Sequence, residues 1–328
     1  MNIGIVGATG VVGEELIILL ISSGYKNLKL CASDKSVGKI TDNNYYILQL
    51  NKDFFDDIQV VFFCADTATS LKWIEYAQEK NIFIIDNSSA YRMNDHVPLV
   101  IPEINGHLIK NSKLIANPNC STAILCMILY PLLKLEKIIR VDVCTYQAVS
   151  GAGKLAIDEL LDQIHSYSNN LKLEQKIFKS QILLNCFSHN SSIDLDNGYN
   201  EEEIKIINET KKILDTDIEV SASCMRVPVL RSHTESVKIV FEKPVDETLL
   251  RTALENFSGV KIHDFRKENS FPEPLMVEKT GDILVGRIRK DYHIKDGTVY
   301  HLNICGDQLL KGAALNAFQI FEIYLNLL

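Results

Sequence analysis

Among the residues able to do covalent chemistry, Cys120 stands apart from the other seven cysteines. It lies in Asn117-Pro118-Asn119-Cys120-Ser121-Thr122, directly before the apolar run Ala123 to Leu133, which predicts a helix. A thiol at a helix N-terminus meets the positive end of the macrodipole and nearby N–H donors, which favour the thiolate and hence a nucleophile. A cysteine nucleophile needs a proton carrier. His233, in Arg226-Val227-Pro228-Val229-Leu230-Arg231-Ser232-His233, is the best placed of the eight histidines, among cations at an expected strand end. The odd spacing would point Arg226 and His233 to opposite faces of an unbroken strand, while Pro228 permits a bend or bulge. Spacing alone therefore does not join them into one site.

A second chemical signal is Gly7-Ala8-Thr9-Gly10-Val11-Val12-Gly13, between an expected strand and an expected helix. In that context a glycine-rich turn lets backbone N–H groups approach a pyrophosphate at a helix N-terminus, although the spacing is G-x-x-G-x-x-G rather than G-x-G-x-x-G. The second strand ends Ala32-Ser33-Asp34-Lys35-Ser36. An acid there suits the ribose of NAD, whereas small hydroxyls and a cation suit the extra phosphate of NADP. Asp34 argues for the first; Ser33, Lys35 and Ser36 argue for the second.

These residues must be positioned by elements of two kinds. In the first third, strands expected at Asn2 to Val6, Lys29 to Ala32, Gln59 to Cys64, Ile82 to Ile85 and Leu114 to Ala116 alternate with helices at Glu14 to Ser23 and Thr69 to Lys80. That alternation is the pattern of a doubly wound parallel sheet. After about residue 136 the period changes to two, over Ile139 to Val149, Met225 to Phe241 and Thr298 to Cys305. Half-wet strands of this kind predict a mixed sheet covered on one side by helices such as Leu155 to Ser166 and Glu201 to Leu214. Leu309 to Leu327 reads as an apolar helix, and Asn190 to Asn200 as a surface loop. The expected fold class is α/β, a Rossmann-type domain joined to an α+β domain.

Composition narrows the function. A chain of 328 residues with 46% hydrophobic content can build two cores. A net charge of -8 with scattered Lys and Arg gives no basic stripe, which argues against nucleic acid. The opening MNIGIVGATG has no basic leader and no apolar run approaches a bilayer span, so a soluble cytoplasmic protein is expected. The remaining cysteines, at 31, 64, 126, 144, 186, 224 and 305, lack paired spacing. They read mostly as small buried hydrophobes in a reducing compartment, and no metal site is expected.

At these residues the sequence closely resembles the bacterial-type aspartate-semialdehyde dehydrogenases, over essentially the whole chain. The strings that carry the resemblance are GIVGATGVVG from Gly4 to Gly13, DNSSAYRM from Asp86 to Met93, NPNCST from Asn117 to Thr122 and TYQAVSGAG from Thr145 to Gly153. NETKKIL from Asn208 to Leu214, RVPVLRSH from Arg226 to His233, LVGRIR from Leu284 to Arg289 and KGAALN from Lys311 to Asn316 follow in order.

The resemblance implies an NADP-binding domain of residues 1–119 with 309–328, and a catalytic and dimerisation domain of residues 120–308. It implies NADPH-dependent reduction of β-aspartyl phosphate to aspartate semialdehyde through a thioester on Cys120, with Gln147 orienting the acyl group and His233 as general acid/base. Arg226 then matches the group holding the substrate α-carboxylate, a task for which lysine is a poor substitute. Glu209 matches the partner of the α-amino group, and Arg92, Asn119 and Lys212 match phosphate-binding positions. Cofactor contacts carried over are Gly7, Thr9, Gly10, Val11, Val12, Ser33, Lys35, Ser36, Ser150, Gly151, Gly153 and Gln308.

Members of the family commonly have arginine where Lys35 and Leu310 stand, and asparagine where Gln308 stands. The resemblance also implies a homodimer, with a tetramer as the larger alternative. Two rival readings are an N-acetyl-γ-glutamyl-phosphate reductase, whose substrate nitrogen carries no charge, and a non-catalytic dinucleotide-binding paralogue.

Overall fold

The computed structural model describes residues 1–328, which divide into two compact units, Met1–Asn119 with Ala313–Leu328, and Cys120–Gly312. The second unit thus runs on to Gly312, past the boundary after residue 308 that was expected. No helix is long and apolar enough to cross a membrane.

In the first unit, β1 (Ile3–Val6), β2 (Leu28–Cys31), β3 (Ile47–Leu48), β4 (Val60–Phe63), β5 (Phe83–Asp86) and β6 (Leu114–Ala116) form one sheet in the order β3-β2-β1-β4-β5-β6. Every pair is parallel. Burial on both faces explains why these strands read as unbroken apolar runs: β1, β4 and β5 are buried at every residue. The strand order reverses direction between β1 and β4, the switch point at which such sheets bind ligands beyond their carboxyl ends.

The helix Leu315–Asn326 completes this unit's core. Phe318, Ile320 and Phe321 lie among Ile3, Ile5, Leu16 and Phe62, and the Phe321 ring meets Phe62 edge-on at 5.7 Å. Truncating a ring so enclosed costs about 3–5 kcal/mol. The expected single helix from Leu309 is instead a π-turn, Leu310–Ala314, followed by the α-helix.

The second unit holds a seven-stranded mixed sheet. Its strands are β7 (Ile138–Gln147), β8 (Phe187–Ser188), β9 (Glu219–Arg226), β10 (His233–Phe241), β11 (Val260–Ile262), β12 (Ile283–Lys290) and β13 (Val299–Gly306), in the order β11-β12-β13-β10-β7-β9-β8. The helix Cys120–Leu133 packs on its central strands and is buried at nearly every position, so it shows no amphipathic stripe.

One expectation is corrected. Met225 to Phe241 is not one bent strand but two, with Val227–Ser232 leaving the sheet between them. Pro228 cannot donate to a ladder, and Ser232 takes a left-handed φ of 74° to turn the chain back. The chain thus comes back on the far side of β7, so that β9 and β10 flank it.

Candidate active site

That excursion settles the spacing problem. In register, Gln147 pairs with Arg226 on β9, and His233 on β10 follows directly from the Thr234–Tyr146 pair. Arg226, Gln147 and His233 therefore form a row across three adjacent strands at one end of the sheet, and all three are buried.

Cys120 begins its helix, and its Sγ lies 3.5 Å from His233 Nε2. The other ring nitrogen settles the tautomer. The Ala148 N–H donates to His233 Nδ1 at 3.1 Å, and a backbone amide can only donate, so the proton of the neutral ring sits on Nε2 and faces sulfur. Burial, and secondly the nearby Arg226 charge, push the His233 pKa down to about 3, which keeps the ring neutral. An N–H aimed at sulfur and a helix N-terminus both favour the thiolate. Burial does the opposite elsewhere: it pushes Cys31, Cys64 and Cys305 up to about 12 and also raises Cys126 and Cys224. All eight cysteines are free; four are buried, while Cys186 is exposed.

Arg226 is 1% exposed, yet no carboxylate is among its hydrogen-bond partners. Nη1 donates to Ala148 O at 2.7 Å, Nη2 to His189 Nε2 at 2.6 Å and to Asn190 Oδ1 at 3.0 Å, and Nε to Asn190 Oδ1 at 3.3 Å. A buried cation surrounded by neutral acceptors is a site for an anion. Gly151 leaves the space in front of it open. A Cβ there would stand 3.3 Å from both Arg226 Nη1 and His233 Cε1.

Gln147 Nε2 donates to Ser121 Oγ at 3.1 Å, Glu202 Oε1 at 3.2 Å and Thr145 Oγ1 at 3.3 Å. Glu202, buried in the first turn of the helix Glu201–Leu214, also exerts its charge on Arg226, His189 and His233, and Lys205 Nζ lies 3.7 Å from it. The geometry brings Glu202, with Lys205 beside it, to this row rather than the expected Glu209 and Lys212. They lie seven residues further along the same helix, a rise of about 10 Å. Glu209 is fully buried, with its charge acting on Cys126. The sequence contains two E-x-x-K pairs on this helix, and the capping box of Asn200 and Glu203, a legible start signal, would have favoured the earlier one. His189 and Asn190 were missed because Asn190 opens, and His189 immediately precedes, the stretch that reads as a surface loop.

Gln308 ties loops together rather than standing alone: its Oε1 accepts from Ser232 N at 2.7 Å and its Nε2 donates to Ser150 Oγ. Ser150, Gly151 and Gly153 lie in the tight turn after β7, where Gly153 has φ 91°. Gly312 abuts Cys120; a Cβ there would stand 2.8 Å from Cys120 Cβ.

The remaining candidates belong to the first unit. Gly7, at φ 85°, tolerates no side chain, since a Cβ would fall 2.3 Å from Cys64 O. Gly10 caps the helix Val11–Ser22 without a side chain, so the first-turn N–H groups of Val11 and Val12 face outward uncovered by any capping group. Thr9 lies in this loop, and Ser33, Lys35 and Ser36 sit in or beside the exposed turn Asp34–Ser36 after β2. This cradle fits a dinucleotide pyrophosphate. Arg92 is buried on the loop after β5, with Nη2 donating to Asn87 O at 2.7 Å, and Asn119 is buried as the residue before Cys120.

A doubly wound parallel sheet, followed by a unit that sets a helix-terminal thiol against an imidazole, defines the class as a dinucleotide-linked enzyme. The chain belongs to the semialdehyde dehydrogenase family: residues 2–112 match the model described as its NAD binding domain and residues 129–311 that described as its dimerisation domain. Within the family, its relatives are aspartate-semialdehyde dehydrogenases. That of Synechocystis is 41% identical over 98% of this chain and 97% of its own length, and that of Campylobacter jejuni 40% identical over 99% and 98%. Among solved structures, aspartate semialdehyde dehydrogenase II from Vibrio cholerae, complexed with ASA, superposes with a TM-score of 0.92 at 35% identity, covering 99% of this chain and 98% of that one.

Proposed function

We propose that the chain catalyses the NADPH-dependent reductive dephosphorylation of β-aspartyl phosphate to aspartate semialdehyde, in amino-acid biosynthesis. The observation that carries this reading is the buried Arg226 without an acid partner beside the Cys120–His233 pair, because a small dianionic amino-acid derivative needs both a guanidinium and a nucleophile within a few ångströms.

In this reading the Cys120 thiolate attacks the acyl carbon, the carbon–sulfur bond forms, and the carbon–oxygen bond to phosphate breaks. A thioester accepts hydride more readily than a carboxylate, and a dinucleotide, which Gly7, Thr9, Gly10, Val11 and Val12 would hold, would supply that hydride when bound. Collapse of the hemithioacetal returns the thiolate and releases the aldehyde. His233 Nε2–H donates first to sulfur and then to the oxygen that gains charge; accepting a proton would require Nδ1 to part from Ala148 N–H.

Gln147 orients the acyl group, and Arg226 takes the α-carboxylate. Glu202 takes the α-amino group in place of Glu209, and Lys205 in place of Lys212 joins Arg92 and Asn119 as a phosphate-binding candidate. An N-acetylated substrate would bring no ammonium to Glu202, which disfavours the glutamyl reading.

Ser33, Lys35 and Ser36 support NADP over NAD, and a cytosolic location fits the free cysteines. Purified protein given aspartate semialdehyde, phosphate and NADP should reduce the nucleotide only when phosphate is present. Cys120→Ser should lower turnover by about 10³-fold or more. Phosphate-independent turnover, or none, would count against the reaction; equal rates with NAD would overturn the cofactor choice alone.

A further inference from the structure

The environment of Arg226 assigns a role to a residue that neither the family strings nor the nucleophile accounts for. Four hydrogen bonds hold the guanidinium, and three of them end on the consecutive residues His189 and Asn190 at the start of the loop after β8. The shortest is Nη2 to His189 Nε2, at 2.6 Å. Arginine can only donate, so Nε2 must carry a lone pair, and the neutral ring's proton then lies on Nδ1. Ser191 Oγ, 3.0 Å from Nδ1, accepts it, and Ser191 Oγ in turn takes the N–H of Glu202 in the helix Glu201–Leu214. The contact of Ser191 N with the same Nδ1, at 3.3 Å, is the weaker of the two and yields to this assignment.

We propose that His189 is a positioning residue for the substrate α-carboxylate: as a neutral acceptor it fixes the Arg226 guanidinium so that Nη1 faces the opening at Gly151, without cancelling the charge that attracts the ligand. This rests on the reading of Arg226 given above. A carboxylate at position 189 would hold the guanidinium equally well but neutralise it, and a protonated imidazole would repel it. The charged groups facing the ring are Arg226 from β9 and Glu202 and Lys205 from the helix. The ring is nonetheless held neutral, chiefly by burial, which brings its pKa to about 4.

The role separates from a purely structural one in the kinetics. In the phosphate-dependent assay, His189→Leu should raise KM for aspartate semialdehyde roughly 10-fold or more while kcat and the KM for phosphate change less than about 3-fold, the signature of lost uniform binding to one substrate. His189→Gln, which offers an amide oxygen to Nη2, should recover most of the loss. An unchanged semialdehyde KM in His189→Leu, or an equal rise in both variants, overturns the proposal. Failure of the unsubstituted protein to turn over would instead remove the functional reading itself. Should His189→Leu not fold, long-range ¹H–¹⁵N spectra of the unsubstituted protein decide, with the resonance assigned by its loss in His189→Gln. Nδ1 protonated and Nε2 bare near neutral pH supports the role, and Nε2 protonated overturns it.

Discussion

At the scale of single residues, the site works by withholding partners. The charge of Arg226 is not cancelled by its hydrogen-bond partners because they are neutral, and Cys120 differs from the five thiols that burial holds protonated because it starts a helix and faces an N–H. Replacing Glu202 by Gln should raise the semialdehyde KM by about 10-fold or more, the cost of losing a charge-assisted bond. The same change at Glu209 should leave KM within about 3-fold, and the reverse pattern in initial-rate measurements would assign the α-amino group to Glu209 instead. Glu235 offers a separate test. Both its carboxyl oxygens are buried without a hydrogen-bond partner, and burial raises its pKa well above the ordinary value. A raised folded pKa adds stability that is complete below the unfolded pKa and is lost as pH rises toward the folded one. Glu235→Gln should therefore melt at higher temperature than the unsubstituted protein at pH 8, with the gap closing towards pH 5. A gap independent of pH would show that ionisation of Glu235 plays no part.

At the scale of elements, strand ends and helix starts bring the chemistry together. The loop Val227–Ser232 places Arg226 and His233 on either side of Gln147, and Ala148 uses its N–H on one and its C=O on the other. Gly312, in the π-turn, lets that turn press against Cys120. Gly312→Ala should push the first residue of the helix Cys120–Leu133 aside, because the added carbon would lie 2.8 Å from Cys120 Cβ and 3.2 Å from its Cα. Turnover should fall by about 10²-fold, as expected for a displacement near 1 Å, with about 1–3 kcal/mol lost in denaturant titrations from overpacking. Unchanged kcat would mean that the turn relaxes freely.

At the scale of the whole molecule, the second unit leaves apolar surface uncovered. Ile157, Leu161 and Ile164 line one side of the helix Lys154–Ser168, where Leu161 is 47% and Ile164 43% exposed, and Tyr146 is 39% exposed on the open face of the sheet. Exposed apolar side chains of this kind suit an association surface, and a homodimer through this unit is the reading we propose. Leu161→Glu combined with Ile164→Glu should shift the protein from dimer to monomer in sedimentation velocity. A dimer unaffected by the pair would place the interface elsewhere.

The helix-terminal thiol, the glycine cradle, the alternation of strand and helix and the family itself were legible in the sequence, because they rest on local spacing. Cys120 before an apolar run and Gly7 after a strand carry their conformational meaning within a few residues. What only tertiary structure decided is which distant groups converge. Period-two patterning could not break Met225 to Phe241 into two strands on opposite sides of β7, and helical periodicity could not choose between Glu202 and Glu209, which share one face. His189 carried no signal, because an acceptor for a buried guanidinium is recognised by what it meets across the sheet and not by its neighbours in the chain.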